Sequence, residues 1–203
     1  VEDQAAFIQA VTAAGFSQTA DHNHPASSGV GPLPLNNPDG VRWSTALGYL
    51  TMSRDRPNFT ISADSHATRV LIENNRAVGV EYEKNGELRQ SFSDEVVLSA
   101  GPIGSPHLLM LSGLGPSEQL EAIGVDVIAD IRGVGQNLRD HPSVHVRWRA
   151  EDDFPMPDVE VGPQKVALRY TARGSELRND MITVMRWSSP NREFLMSAGL
   201  YLA

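Results

Sequence analysis

Residues 99–116 read SAGPIGSPHLLMLSGLGP, and they follow the apolar run Glu95-Val-Val-Leu-Ser-Ala-Gly101. A near-continuous apolar run of that length predicts a strand covered on both faces. Ser105 fits an N-cap and Pro106 the first helical position, where a missing N–H costs nothing. Leu108, Leu109 and Leu111 then form an apolar stripe, and Gly113 suits the left-handed residue that ends a helix. The stretch therefore predicts strand, tight glycine turn, short helix and stop. In a doubly wound sheet such a turn lies at the carboxyl end of a strand, where ligands bind, and a glycine there lets backbone approach a bound group closely. A strand-to-helix corner with no ligand predicts the same residues.

Outward from this stretch, Asp3 to Ala14 places Phe7, Ile8, Val11 and Ala14 on one helical face, with Gly15 as the stop. The segment DHNHPASSGVGPLPLNNPDG is rich in Pro, Gly and Asn and predicts a long ordered loop. From Asn58 a meander of short strands is predicted: FTISA, TRVLI, AVGVEY and LRQSF, with turns at ENNR and Asn85-Gly86, and EVVLSA as the buried strand after them. Two short helices, VDVIAD and the glycine-rich GVGQNLRDHP follow Gly101. SVHVRWRA, KVALRYTA and MITVMRW predict strands of a second, more exposed sheet.

With 17 Lys and Arg against 25 Asp and Glu, the 203-residue chain has a net charge of −8. Its average field repels phosphate backbones and anionic lipid surfaces, so nucleic acid is excluded as a partner. The absence of cysteine excludes disulfides and thiolate chemistry. No run of 18 apolar residues exists, and VEDQAAFIQA has neither a basic start nor an apolar core. A soluble, cytoplasmic chain with no signal peptide and no membrane span is expected. The start at Val1 and the end SAGLYLA read as cut ends of a longer protein.

Asp21-His22-Asn23-His24 offers two imidazoles and a carboxylate, but no third ligand at a metal-site spacing completes a shell. Asp21 and Asn23 are expected to cap turns instead. Asp140-His141 invites a general acid–base reading; the expected role is structural, with Asp140 ordering the turn before Pro142 and His141 bonding backbone. His107 is expected to face solvent at the start of its helix. Ser105 lies between Gly104 and Pro106 rather than in a G-x-S-x-G elbow, and Pro106 removes an N–H that an oxyanion hole would use. Trp43, Trp148 and Trp187 are expected in core or rim and carry no assigned function.

The order Gly101-Pro102-x-x-Ser105-Pro106-x-Leu108-Leu109-x-x-Ser112-Gly113-Leu114-Gly115 resembles the second signature of the glucose-methanol-choline (GMC) oxidoreductases, a family of FAD-dependent alcohol oxidases and dehydrogenases. Gly40-Val-Arg42-Trp-Ser44, Arg56-Pro57-Asn58-Phe59, Arg76-Ala77-Val78-Gly79-Val80-Glu81-Tyr82 and Gly133-Val-Gly135-Gln-Asn137-Leu138-Arg-Asp140-His141 resemble the family in the same order.

The resemblance implies an α/β (α+β) fold: part of an FAD/NAD(P)-binding-type domain with a β-meander, plus part of an antiparallel-sheet substrate domain. Residues 41–140 would belong to the FAD-binding part, with 1–40 and 141–203 in the substrate part. It implies FAD as cofactor, with Ala67 near the adenine end through backbone and Ala100 and Gly101 close to the ADP part, and a small-molecule alcohol as substrate. The family receives the pyrophosphate on a GxGxxG loop. Here GVGPLP, GLGPSE and GVGQNL fail at the last glycine, with Pro34, Glu118 and Leu138 in its place. Nor does any segment match the family's catalytic His paired with His or Asn, which takes the hydroxyl proton while hydride passes to the flavin. The chain thus reads as the middle of such an enzyme, with no catalytic residue and no metal site of its own, inactive in isolation and weak in FAD binding. The alternative is a non-catalytic module that keeps part of the fold and binds a ligand or partner.

Overall fold

The computed structural model describes residues 2–149, 151–153, 165–188 and 193–200. In chain order its elements are α1 (Glu2–Ala13), β1 (Gly29–Pro32), α2 (Thr51–Ser53), β2 (His66–Glu73), β3 (Arg76–Lys84), β4 (Glu87–Phe92), α3 (Gly101–Leu111), β5 (Leu114–Gly115), α4 (Ser117–Ala122), β6 (Ala129–Asp130), β7 (Ser143–Arg149), β8 (Val166–Tyr170), β9 (Met181–Ser188) and β10 (Glu193–Leu200). The chain divides into two units, residues 1–55 with 140–203, and residues 56–139. Among the described residues no helix is long and apolar enough to cross a membrane.

The first unit is built on a five-stranded antiparallel sheet in the order β1-β8-β9-β10-β7. The amphipathic α1 lays Phe7 and Val11 against Val30, Val166 and Leu168, with Phe16 meeting Tyr170 edge-on at 5.4 Å between ring centroids. The segment predicted as one long loop contains β1. Val30 is fully buried, bonded through backbone to Ser17 and Thr19 on one side and paired with Leu168 on the other. A Cβ at Gly29 or Gly31 would come within 2.1 or 2.0 Å of the Ser17 or Thr19 carbonyl oxygen, so glycines that read as loop punctuation are what allow the close approach. The three strands predicted after Ser143 are β7, β8 and β9, and β10 joins them from a segment that carried no clear signal.

In the second unit β2, β3 and β4 form the expected meander. Its two hairpins turn at Asn74-Asn75 (φ 49° and 62°) and Asn85-Gly86 (φ 55° and 79°), the paired left-handed residues that match strand twist. FTISA, by contrast, forms no strand. The bidentate pair between Arg69 and Glu81 fixes the register: Nε donates to Oε1 at 3.0 Å and an Nη to Oε2 at 2.9 Å. Thr68 and Gln90 donate to the same carboxylate, so its contacts reach from β2 across β3 to β4.

Two expectations for the opening stretch are corrected. Residues 95–99 have no ladder partner among the described residues, and Val97 is 77% exposed. An apolar run supplies only one side of a strand pair; the hydrogen-bonding neighbour must come from elsewhere. Ser105 and Pro106 also lie inside α3 rather than at its start. Gly101, at φ 80°, turns the chain straight into the helix, so Pro102 takes the early position. Ser105 Oγ reaches back to accept the Ala100 N–H at 3.0 Å. The stop behaves as expected, with Gly113 at φ 78° after the C-cap Ser112.

Ser112 joins helix to meander. Its buried hydroxyl donates to the Leu108 carbonyl at 2.6 Å and accepts the Val70 N–H at 2.8 Å. Ser112→Ala leaves the Val70 N–H unsatisfied and is expected to lower stability by about 1–3 kcal/mol in urea titration.

The Arg69 guanidinium, with Gln90 and Thr68 behind it, holds the Glu81 carboxyl down at about 2. Because the folded value lies below that of the unfolded chain, the pair stabilises at neutral pH, and this contribution is lost as pH falls from about 4 towards about 2. Urea midpoints measured across that window should fall more steeply for the parent than for Glu81→Gln.

Candidate functional site

Within the unit of residues 56–139, α3 and the glycine-rich loop 133–139 face each other across a cavity of about 690 Å³. Pro102, Ile103 and Met110 form one wall; Gly133, Gly135 and Asn137 belong to the other. This is a volume suited to part of an extended small molecule, with mainly apolar walls and few polar groups. A second cavity, of about 510 Å³, lies between β2 and the end of α3, and its Arg69 is already committed to Glu81.

Glycines stand on both elements that form the first cavity. Gly101 has no neighbouring atom within 4 Å of where a Cβ would stand, so open space lies beside the turn that starts α3. Gly135 sits at φ 75° with Met110 Sδ 3.4 Å from a Cβ position, which brings loop and helix into ordinary contact. Asn137 is also left-handed, at φ 57°. The run GVGQNL fails as a dinucleotide loop, but the structure brings it against the helix that the opening stretch encodes.

The expected cofactor residues are placed as follows. Ala100 and Gly101 immediately precede the cavity wall, with the Ala100 N–H held by Ser105. Ala67 lies on β2, paired with Tyr82 beside a bulge, and does not line the cavity. His107 lines it and is exposed, as expected from its place in α3.

In the other unit, Asp21 Oδ1 accepts the Asn23 N–H at 2.8 Å and His24 Nδ1 accepts the Ala26 N–H at 3.1 Å, so the first carboxylate and the second imidazole serve turns. His22 Nε2 lies 3.2 Å from the Gly31 carbonyl oxygen and 3.1 Å from that of Ala167. Both are acceptors, so Nε2 carries the proton and ties this loop to β1 and β8. Among the described residues no cluster of His, Asp or Glu could hold a metal. Asp140 Oδ1 accepts the His141 N–H at 2.7 Å, in a stretch with no assigned turn before Pro142.

Sequence reasoning took loop 133–139 as a stretch by itself; its pairing with α3 across a cavity needed the fold.

Comparison with known proteins gives concordant matches. The family described as GMC oxidoreductase matches residues 2–143. Human mitochondrial choline dehydrogenase is 43% identical over 177 residues, which cover 84% of this chain and 30% of that protein. The oxygen-dependent choline dehydrogenase of Vibrio vulnificus (strain YJ016) is 44% identical over 147 residues, 72% of this chain and 26% of the relative. Pyridoxine 4-oxidase from Mesorbium loti superposes with a TM-score of 0.87 at 26% identity, over 97% of this chain and 41% of its own. A formate oxidase of Aspergillus oryzae, studied for FAD modification, superposes at 0.85 and 20% identity, over 100% and 46% of the two chains, which shows the fold. The chain thus spans less than a third of the curated relatives it matches here.

A left-handed Asn at position 137 gives a local test. Asn137→Gly should leave stability nearly unchanged, whereas Asn137→Val, β-branched at positive φ, should cost about 1–2 kcal/mol by denaturant unfolding.

Proposed function

The chain belongs to the GMC oxidoreductase family, and on that premise we propose that it is a central section of an FAD-dependent enzyme that oxidises an alcohol CH–OH. The observation that carries the proposal is the cavity between α3 and loop 133–139, whose wall begins at Pro102, the residue that follows Ala100 and Gly101. The residues present fit part of a flavin nucleotide: the open space beside Gly101 admits close approach, and the backbone needs no side chain there. Ala100 and Gly101 would hold the ADP part, and Ala67 on β2 would meet the adenine end through backbone. FAD, when bound, supplies the two-electron acceptor for hydride from the alcohol carbon.

This chain's own contribution would be binding and orientation. Residues 41–140 would form the flavin side, and residues 1–40 and 141–203, with the five-stranded sheet, the substrate side; the compact unit of residues 56–139 lies within the first range and supports that part of it, whereas residues 41–55 cluster with the other unit. Proton removal from the alcohol would fall to a histidine pair in segments beyond those matched here. A cytoplasmic location is part of the proposal, although two of the relatives are named as mitochondrial.

The test uses the protein at its natural length. It is expected to be isolated with oxidised-flavin absorbance that an alcohol bleaches, and Ile103→Trp, which fills the cavity from a helical position of α3, should lower FAD affinity roughly tenfold or more while far-ultraviolet circular dichroism stays unchanged. Absence of flavin in the parent protein, or undiminished affinity in Ile103→Trp, would contradict the proposal.

A further inference from the structure

The cavity between α3 and loop 133–139 carries ionisable groups of one kind. Among the described residues that line it, His107 on α3 and Arg139 at the end of the loop are the bases, and no Asp or Glu stands with them. The chain as a whole has 25 acids against 17 Lys and Arg and a net charge of −8, so composition alone would not give a lining without an acid. Both side chains are exposed, and neither makes a hydrogen bond or ion pair with a described residue.

Arg139 differs in this from its neighbours in the unit of residues 56–139. Arg69, Arg76, Arg89 and Arg132 each face a carboxylate, at 2.9, 3.9, 2.9 and 3.3 Å. The second cavity of the unit differs too: its Arg69 is committed to Glu81, and Glu73 and Asp126 bring acids to its walls. An unpaired cation beside a roomy, mainly apolar cavity suits an anion carried on a larger molecule with flat apolar parts. The flavin dinucleotide proposed above is such a molecule, and its formal charge lies on the diphosphate that joins its halves. Backbone N–H groups of a glycine loop, the device that the family resemblance implies for the pyrophosphate, supply partial charge alone. A guanidinium adds a full charge and a planar fork that meets two phosphate oxygens at once.

We propose that Arg139 binds the diphosphate of the flavin dinucleotide, with His107 on the facing helix giving a ring N–H to the same group. The proposal rests on the flavin reading above and concerns binding alone, adding no chemical step.

The test titrates FAD into the natural-length protein freed of its flavin, at low ionic strength. It compares the parent with Arg139→Gln, Arg139→Lys and Arg89→Gln, the last removing the same charge from β4, outside the cavity. Arg139→Gln is expected to weaken FAD binding about tenfold, Arg139→Lys by less, and Arg89→Gln by less than about twofold. Added salt should weaken binding to the parent more than to Arg139→Gln, a difference that a merely structural role for the arginine would not produce. Unchanged affinity in Arg139→Gln, a loss matched by Arg89→Gln, or a loss that leaves the salt dependence as it was, would overturn the proposal. Ile103→Trp keeps the two claims apart: lost affinity there with none lost in Arg139→Gln leaves the flavin in the cavity and removes the arginine's role. If the parent takes up no flavin, the functional reading fails, and calorimetry with ADP decides the anion site. Binding that Arg139→Gln abolishes supports it, and equal heats, or none, reject it.

Discussion

One buried hydroxyl sets the frame of the unit of residues 56–139. Ser112 Oγ, 2.6 Å from the Leu108 carbonyl oxygen and 2.8 Å from the Val70 nitrogen, ties the last turn of α3 to the middle of β2. Neither partner has water as a substitute at that depth, so the bond fixes how the helix leaves the meander. The meander is itself pinned by the Arg69–Glu81 pair. With its far end held, α3 presents its first turn, Gly101 and Pro102, beside the loop of Gly133 and Gly135, and the cavity follows from that placement. The -Ser-Gly-Leu-Gly- of the opening stretch is therefore an anchor, and the -Ala-Gly-Pro- is the end proposed to meet the cofactor.

Much of this was legible in sequence where the determinant was local. The helix α1 follows from the spacing of Phe7 and Val11, the hairpins from Asn74-Asn75 and Asn85-Gly86, and the end of α3 from Gly113. The strands β7, β8 and β9 follow from alternation. What was not legible depended on partners distant in sequence. β1 hides in a Pro- and Gly-rich segment because its glycines answer to the Ser17 and Thr19 carbonyls, and its strand character comes from β8. The run at residues 95–99 has the composition of a buried strand but no partner among the described residues. Ser105-Pro106 carries a helix-start signal that a positive-φ glycine four residues earlier pre-empts.

The candidate site divides the same way. The glycine turn before a helix could be read from sequence, because that geometry is local, whereas the cofactor role proposed for Ala100 and Gly101 came from the family resemblance. That GVGQNL would face that helix could not be read, since by itself it fails every pattern for a nucleotide loop. There the residue types were present in the sequence and their juxtaposition was not.

The central claim is that the start of α3 is a flavin contact. It is tested most directly by a crystal structure of the natural-length protein with its flavin retained. The expected result is an FAD atom within about 4 Å of the Ala100 or Gly101 backbone, with the nucleotide extending along the cavity between α3 and residues 133–139. A flavin bound elsewhere, with that turn packed only against protein or solvent, would contradict it.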